Sequence, residues 1–554
     1  MQILQNYSKP GTQKPEPLFT EWPLLLALLL VGLVLLFYQL GGAYLMDPDE
    51  GRYAEIAREM LAWHNWLIPH LNQLPYLEKP PLVYWLTAIS FKVFGFSAAA
   101  ARLPSALSAL AGLFVAYGLG RVFWGQLPGI LGALVLATCA GYVALGRIIT
   151  LDMTFTFFCN LAIGLGYLAL SRERPGLWLW AYGALALAVL TKGPVAVVLA
   201  GLSWVLWVAI RGRNWRGLIN VKGWLLLALV TLPWMVYVQW RYPEFFHFFI
   251  IEQHFERFLT PAIHPEPVYY YIPVLLGLLL PWTWLLPWAL TRAGQRRDPD
   301  EVFLIIWAAV IVVFFSLSEG KLIPYILPAL LPLALIMGRS LAQLTGPGRL
   351  AFNSRFLRTS LIVWAVVGVT LVALNFWTPP ALSRALARAD LASPFLVMTC
   401  LIFALTPLAV LLWRHLGALL LGALLLGALI PTGMNQVSRG RSFRDMGLIL
   451  KSQWRPGAAL VGVQLYSQGL SFYSGHIFHL LGCRTELDFG ERLAPEKGIC
   501  LADKAALGAF TAAHPVTFFF LKVHDLSWLA QGLPGTFQLL AQHKDCILVA
   551  YEGK

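Results

Sequence analysis

Charge is what this sequence has least of. Asp, Glu, Lys and Arg make up 12% of 554 residues, against 58% hydrophobic ones. A soluble chain carries about 25% charged residues, so an ordinary water-facing surface over most of the length is excluded. Alternating apolar and polar positions are also missing. The apolar runs are continuous, which excludes a transmembrane β-barrel and leaves a polytopic α-helical membrane protein. Cysteine is sparse, at 6 residues, and none shows the paired spacing of a zinc site. The first apolar run, Trp22 to about Leu40, is too long for a removable signal and has no small-residue cleavage pattern, so it is expected to be retained.

What is present is a series of about thirteen runs that meet the ~20-residue spanning criterion. They lie near 22–41, 104–120, 127–146, 150–170, 176–191, 193–210, 223–241, 268–290, 302–318, 321–338, 357–376, 394–413 and 416–431. The pair meeting at Lys192-Gly193-Pro194 is the least distinct. Loop cations such as Arg121, Arg172, Arg211, Arg292, Arg339 and Arg414 fall on alternate connections, the bias expected of cytoplasmic loops. The net charge of +13 therefore reports topology. The cations are scattered over separate loops, which argues against nucleic acid as a partner.

Four regions follow: a cytoplasmic tail (1–21), a long outer loop (42–103) inside a membrane domain (22–431), and an outer α/β domain (432–554). The outer loop is expected to hold two helices lying along the membrane surface. In the first, Asp49 to about Trp63, Tyr53, Ile56, Ala57, Met60 and Leu61 form an apolar stripe, with Arg52, Glu55 and Glu59 opposite and Asp49 as N-cap. The second runs from Pro80-Pro81 to Val93. In the C-terminal region, Ala459–Val463, Val516–Phe520 and Cys546–Ala550 read as strands and Arg444–Trp454 as a helix. Cys483 and Cys500 are a candidate disulfide in an oxidising compartment; the odd count with Cys546 leaves the pairing open.

The candidate chemistry sits where charge collects. Asp49, Glu50, Arg52, Glu78, Lys79, Arg147, Asp152, Lys192, Arg257, Glu319 and Lys321 all fall at the outer ends of spans. Ionisable groups beside hydrocarbon are costly and usually face a cavity. Lys79, Arg52 and Lys321 suit a phosphate whose lipid tail stays in the bilayer. Tyr53, Tyr76 and Tyr325 offer hydroxyls and flat faces to a sugar, and Asp49 and Asp152 can accept from hydroxyls or pair with an ammonium. A snorkelling anchor explains any one of these cations equally well; their convergence favours a site. No metal is required. Glu78, His254 and His264 are weak candidates for a divalent ion, at irregular spacing.

The segments Asp49-Glu50-Gly51-Arg52-Tyr53 and Leu77-Glu78-Lys79-Pro80-Pro81-Leu82 resemble the first outer loop of the protein O-mannosyltransferase superfamily, membrane glycosyltransferases of the GT-C fold. Leu151-Asp152-Met153 resembles that family's second acidic position, and Ser318 to Pro328 resembles its later Ser-x-x-Lys-Leu-x-x-Tyr-x-Leu-Pro segment. The layout is most similar to the bacterial 4-amino-4-deoxy-L-arabinose transferases of lipid A. That resemblance implies an all-α membrane bundle with a small C-terminal α/β domain, in the bacterial inner membrane, with the active site and the C-terminal domain facing the periplasm. It implies an undecaprenyl-phosphate-linked sugar donor and a lipid A acceptor, with polymyxin resistance as the consequence, and a monomer among membrane lipids. Asp49, Lys79 and Asp152 would be catalytic. Arg52, Tyr53, Tyr76, Glu78, Arg147, Lys192, Lys321 and Tyr325 would bind the donor phosphate and sugar. The alternatives are a mannosyl- or glycosyltransferase acting on protein or another glycan, and a lipid-linked sugar transporter, which would place its charges at mid-depth.

Overall fold

The computed structural model describes residues 21–212, 218–259, 265–345, 355–376, 393–482, 486–514 and 516–553. The expected cytoplasmic tail, save Glu21, together with His264 and Cys483, lies outside the described residues.

The chain is a helical bundle followed by a mixed sheet. Eight helices are long and apolar enough to cross a membrane, and ten if two bent pairs count as one span each. Thirteen is reached only by adding Trp22–Phe37, Leu177–Lys192 and Val195–Arg211, which fall below that length. The expected count is therefore not confirmed. The Lys192-Gly193-Pro194 break is real. Gly193 has φ +99°, and a Cβ there would lie 2.5 Å from His254 Nε2, so only glycine turns the chain at this point. The last membrane helix passes through Pro431 and runs to Arg439, well beyond the expected end at 431.

Charge gathers at both ends of the bundle, not only at the end carrying Asp49 and Lys79. At the opposite end Glu21 accepts from Tyr117, Arg121 and Gln126. Asp300 accepts from Tyr167 and Arg172, and Glu301 pairs with Arg296 and Arg339. Several cations expected to mark topology are thus clamped by carboxylates that periodicity does not reveal.

The outer loop forms helices Asp49–Ala62 and Leu82–Phe94, joined through a hairpin of β1 (His70–Leu71) and β2 (Leu74–Pro75). Asn72 and Gln73 sit at φ +54° and +66°, the geometry of a two-residue hairpin turn. Asp49 is not the N-cap: Pro48 holds that place and no side chain caps the helix.

The first helix does not lie on the membrane by its apolar stripe. Ile56, Ala57 and Met60 are buried in a core shared with Leu460, Phe478, Phe518 and Phe520 of the C-terminal region. Glu55 and Glu59 are buried as well. Arg58 clasps Glu55 with two bonds of 2.7 Å, and Glu59 accepts from the Gln73 amide. Burial and the neighbouring Glu55 push the Glu59 carboxyl well above its usual range. The helix is therefore wrapped on both faces. The second helix keeps Ile89, Val93 and Phe94 exposed, an apolar face fit for an interface.

The C-terminal sheet has strand order β5-β4-β3-β6-β8-β7, with β3 (Ala459–Val463), β4 (His479–Leu481), β5 (Cys500–Leu501), β6 (Val516–Lys522), β7 (Gly535–His543) and β8 (Cys546–Gly553). β5, β4, β3 and β6 are parallel, and β8 and β7 antiparallel. Alternate residues face opposite cores: Phe518 and Phe520 toward the outer loop, Phe519 and Leu521 toward the far side. Cys500 is disulfide-bonded, while Cys139, Cys159, Cys400 and Cys546 are free.

Candidate active site

The loop between Asp49 and Lys79 is held from two sides. Behind it, Glu50 and Arg102 form a buried bidentate pair at 2.7 Å, each 1% exposed. Arg102 also donates to the carbonyls of Leu40, Ala43 and Tyr44, and Glu50 accepts from the amides of Met46 and Ile149. One ion pair thus ties the end of the first span, the loop and the approach to Asp152. Beside it, Asp47 accepts from Gly469 N at 2.7 Å and Ser467 Oγ at 3.2 Å. Burial pushes the Asp47 carboxyl up to about 6 against these hydrogen bonds. Asn72 pairs both ways with the Phe478 backbone, donating at 2.9 Å and accepting at 2.8 Å. The hairpin is docked to the C-terminal sheet as if Asn72 were a strand residue.

Within this frame Arg52 pairs with Glu486 at 2.6 Å and reaches Asp49 at 3.7 Å; the Asp49 side chain is 62% exposed. Tyr53 stacks on Tyr84 at 5.9 Å. Tyr76 is buried, with Arg52 and Glu78 acting on its hydroxyl. Lys192 Nζ lies 2.5 Å from Asp152 Oδ1 and 4.1 Å over the Tyr325 ring. Lys79 stands apart: among the described residues it has no hydrogen-bond or ion-pair partner. Burial draws its ammonium down to about 8; Glu78 opposes this, while Arg257, Lys192 and Arg52 reinforce it. Burial, with Lys79 and Arg257 nearby, lowers His254, whose Nδ1 meets the Phe249 carbonyl at 2.5 Å. A lysine crowded by three cations and held in no ion pair is poised to take an anion.

Asp49, Arg52, Tyr53, Tyr76, Glu78, Lys79, Asp152, Lys192 and Tyr325 thus converge. Two expected members do not. Lys321 is 3% exposed and donates to the carbonyls of Glu266, at 2.7 Å, and Ser318, at 2.5 Å. Arg147 is 2% exposed and donates to the carbonyls of Leu35 and Tyr38. Both satisfy backbone that would otherwise be orphaned at bundle turns, so neither ammonium nor guanidinium reaches the cluster. Glu78 and His254 belong to no group of three potential metal ligands among the described residues. The sequence reading missed Arg102 and Asp47 as scaffolding, and Glu486 as the partner of Arg52. Arg257, noticed only as a span-end charge, belongs beside Lys79.

A sequence profile of the dolichyl-phosphate-mannose-protein mannosyltransferase family matches residues 78–240. The undecaprenyl phosphate-α-4-amino-4-deoxy-L-arabinose arabinosyl transferase 2 of Pseudomonas fluorescens Pf0-1 is 37% identical over 57% of this chain and 59% of its own. The corresponding transferase of Pseudomonas aeruginosa UCBPP-PA14 is 38% identical over 53% of this chain and 55% of its own. The matched stretch thus spans under two thirds of the length of these curated relatives. The crystal structure of ArnT from Cupriavidus metallidurans bound to undecaprenyl phosphate superposes with a TM-score of 0.85 and 28% identity, covering 96% of this chain and 98% of that one. The chain shares the fold of the ArnT membrane glycosyltransferase over nearly its whole length. The fold is also shared by the archaeal oligosaccharyltransferase AglB from Archaeoglobus fulgidus, with a TM-score of 0.53 at 13% identity. The profile match begins at Glu78, at the edge of the cation cluster.

Proposed function

We propose that this protein transfers 4-amino-4-deoxy-L-arabinose from undecaprenyl phosphate to phosphate groups of lipid A, at the periplasmic face of the bacterial inner membrane. The observation that carries the reading is Lys79, buried, held in no ion pair among the described residues and crowded by Arg52, Lys192 and Arg257. The donor phosphate seats against Lys79, with Tyr76 and Glu78 closing the turn around it. The sugar lies between Asp49 and the Lys192–Asp152 pair, with Tyr53 and Tyr325 as flat walls.

The bond from the anomeric carbon to the donor phosphate oxygen breaks, and its electron pair leaves with undecaprenyl phosphate. An oxygen of the acceptor phosphate forms the new bond to that carbon. Positive charge already in place where the leaving phosphate gains charge supplies most of the acceleration. The acceptor phosphate is already an anion near neutral pH, so Asp49 positions the sugar amine and need not remove a proton. Asp152 holds Lys192. Lys321 and Arg147 have no part in this scheme.

Mass spectrometry of lipid A from cells with and without the chain tests this directly. A pentose-amine addition that depends on the chain is expected. The second reading, supported by the mannosyltransferase profile over 78–240, is transfer of a hexose to a secreted protein; unmodified lipid A with a hexose on protein would select it.

A further inference from the structure

We propose that the cavity where the span Val221–Arg241 meets the outer loop and the C-terminal domain holds the non-reacting, phosphorylated part of the acceptor's head group. The proposal rests on the reading of the acceptor as lipid A. An acceptor with more than one phosphate offers one to the sugar and must keep another elsewhere.

The cavity measures about 390 Å³, within the size range of small-ligand sites. Three walls far apart in the chain build it, and they are pinned together. Trp234 Nε1 of the span donates to the Leu67 carbonyl of the outer loop at 2.8 Å. Phe248, just past the span, stacks on Phe489 of the C-terminal domain at 3.6 Å.

Two cations reach the space from different walls, Arg241 at the end of the span and Lys497 of the C-terminal domain. Neither side chain is held in a hydrogen bond or ion pair among the described residues. Arg241 rests 5.0 Å over the Tyr242 ring. Glu496 is the only carboxylate among the described lining residues, so the lining keeps one positive charge in excess. A snorkelling anchor accounts for Arg241 alone; it does not bring Lys497 to the same space from another domain.

The remaining groups suit a sugar. Tyr237 and Tyr242 offer flat faces and hydroxyls. Asn65 Oδ1 accepts from the Leu67 and Ile68 amides, which leaves its NH2 to donate. Burial draws the His70 imidazole down to about 4, with Lys497 reinforcing it. The ring is therefore neutral and can donate at one nitrogen and accept at the other. Cations for a phosphate beside donors and rings for a saccharide match a phosphorylated sugar head group.

The cavity also lies in the right place. Pro75 lines it, and Leu77 packs with Trp234 and Tyr242 of the same wall. Tyr76, between them, turns into the core shared by the outer loop and the C-terminal domain, where Arg52 and Glu78 act on it. One strand of chain thus separates the cavity from the Lys79 cluster. On the other side, Leu229, Leu232, Val236 and Trp240 of the span are exposed. They give acyl chains an apolar surface leading up to the cavity.

The test measures binding of lipid A to the full-length protein in detergent without donor, using the form with two phosphates and the form with one. The two-phosphate form should bind about tenfold tighter, the effect of one charge-assisted contact. The double variant Arg241→Gln, Lys497→Gln should lose most of that advantage, and Arg241→Lys should keep most of it. In transfer assays the double variant should raise the acceptor KM about tenfold with kcat and undecaprenyl phosphate affinity unchanged. The same preference in parent and double variant, or a fall in donor affinity matching that in acceptor affinity, would overturn the proposal. Displacement of lipid A by an equal concentration of phosphatidylglycerol would make the cavity a general lipid site and overturn it too. A parent protein that binds lipid A with this preference but adds no aminosugar to it would sink the reading of the function and uphold the cavity. If the double variant does not fold, Lys497→Gln alone, on an exposed turn, should give the same shift at smaller amplitude.

Discussion

Lys192 Nζ lies 2.5 Å from Asp152 while resting 4.1 Å over the face of Tyr325. Asp152, which the sequence leaves free to accept from hydroxyls or to pair with an ammonium, is thus half of an ion pair, and its partner leans on a ring from a distant span. If the pair acts as one unit, Asp152→Asn and Lys192→Gln should each lower kcat/KM, and the double variant should lose much less than the sum. A coupling of about 1–3 kcal/mol in the double-mutant cycle is expected. Strict additivity would separate their roles.

Lys79 should be indispensable for another reason. Lys79→Ala is expected to lower turnover by about 10²–10³, the effect of removing one preorganised charge from a transition state. Because Lys79 is desolvated and unpaired, its removal should leave the thermal unfolding midpoint unchanged or higher. Activity near the parent level, measured as aminosugar transfer in detergent, would contradict the phosphate clamp.

Burial draws the Lys79 ammonium down to about 8. Below that pH it is charged and ready for a phosphate; above it the site loses a charge. Binding of undecaprenyl phosphate should therefore weaken as pH rises through about 8, and Lys79→Arg should move that limb beyond the accessible range. For folding the sign is opposite. The unfolded chain holds this proton up to about 10.5, so between about 8 and 10.5 the folded state gains stability from this group as pH rises. A titration of donor affinity against one of unfolding midpoint separates the two trends.

Glu50 and Arg102 should dominate the stability of the outer loop. Arg102→Met leaves a carboxylate buried without its partner and is expected to cost about 3–5 kcal/mol. The paired change Glu50→Gln with Arg102→Met should recover part of that. Unfolding midpoints of the three variants decide it.

A Cβ on Gly51 would fall 2.5 Å from Gly469 N and 2.7 Å from Asp47 Oδ1. Gly51→Ala must therefore push the loop helix off the C-terminal segment at the point where Asp47 accepts from Gly469. About 1–3 kcal/mol of destabilisation is expected, with protease cleavage between residues 40 and 50 as a sensitive readout. An unchanged midpoint would show that the contact yields freely.

Residues near in sequence carried most of what could be read without coordinates. The apolar runs, the helix from Asp49, the strand at Val516 and the turn holding Glu78-Lys79 each follow from local period and punctuation, because burial repeats with the geometry of the element. The resemblance to membrane glycosyltransferases was legible in the same way, through short motifs at Asp49, Lys79, Asp152 and Ser318. Arg52 and Glu486 illustrate the limit: 434 positions apart, they meet only because the outer loop and the C-terminal sheet share one core.

The sequence alone therefore determined that this is a helical membrane protein whose scarce charges collect at the ends of its spans, since scarcity of charge leaves few places for chemistry. Only the tertiary structure decided which charges are free. Lys321 and Arg147 read like Lys79 in the sequence, yet both are held by backbone carbonyls. Glu55 and Glu59 read as a solvated face, yet the C-terminal domain covers them. The availability of a charge depends on what lies across the contact from it, and residues far apart in the chain supply that.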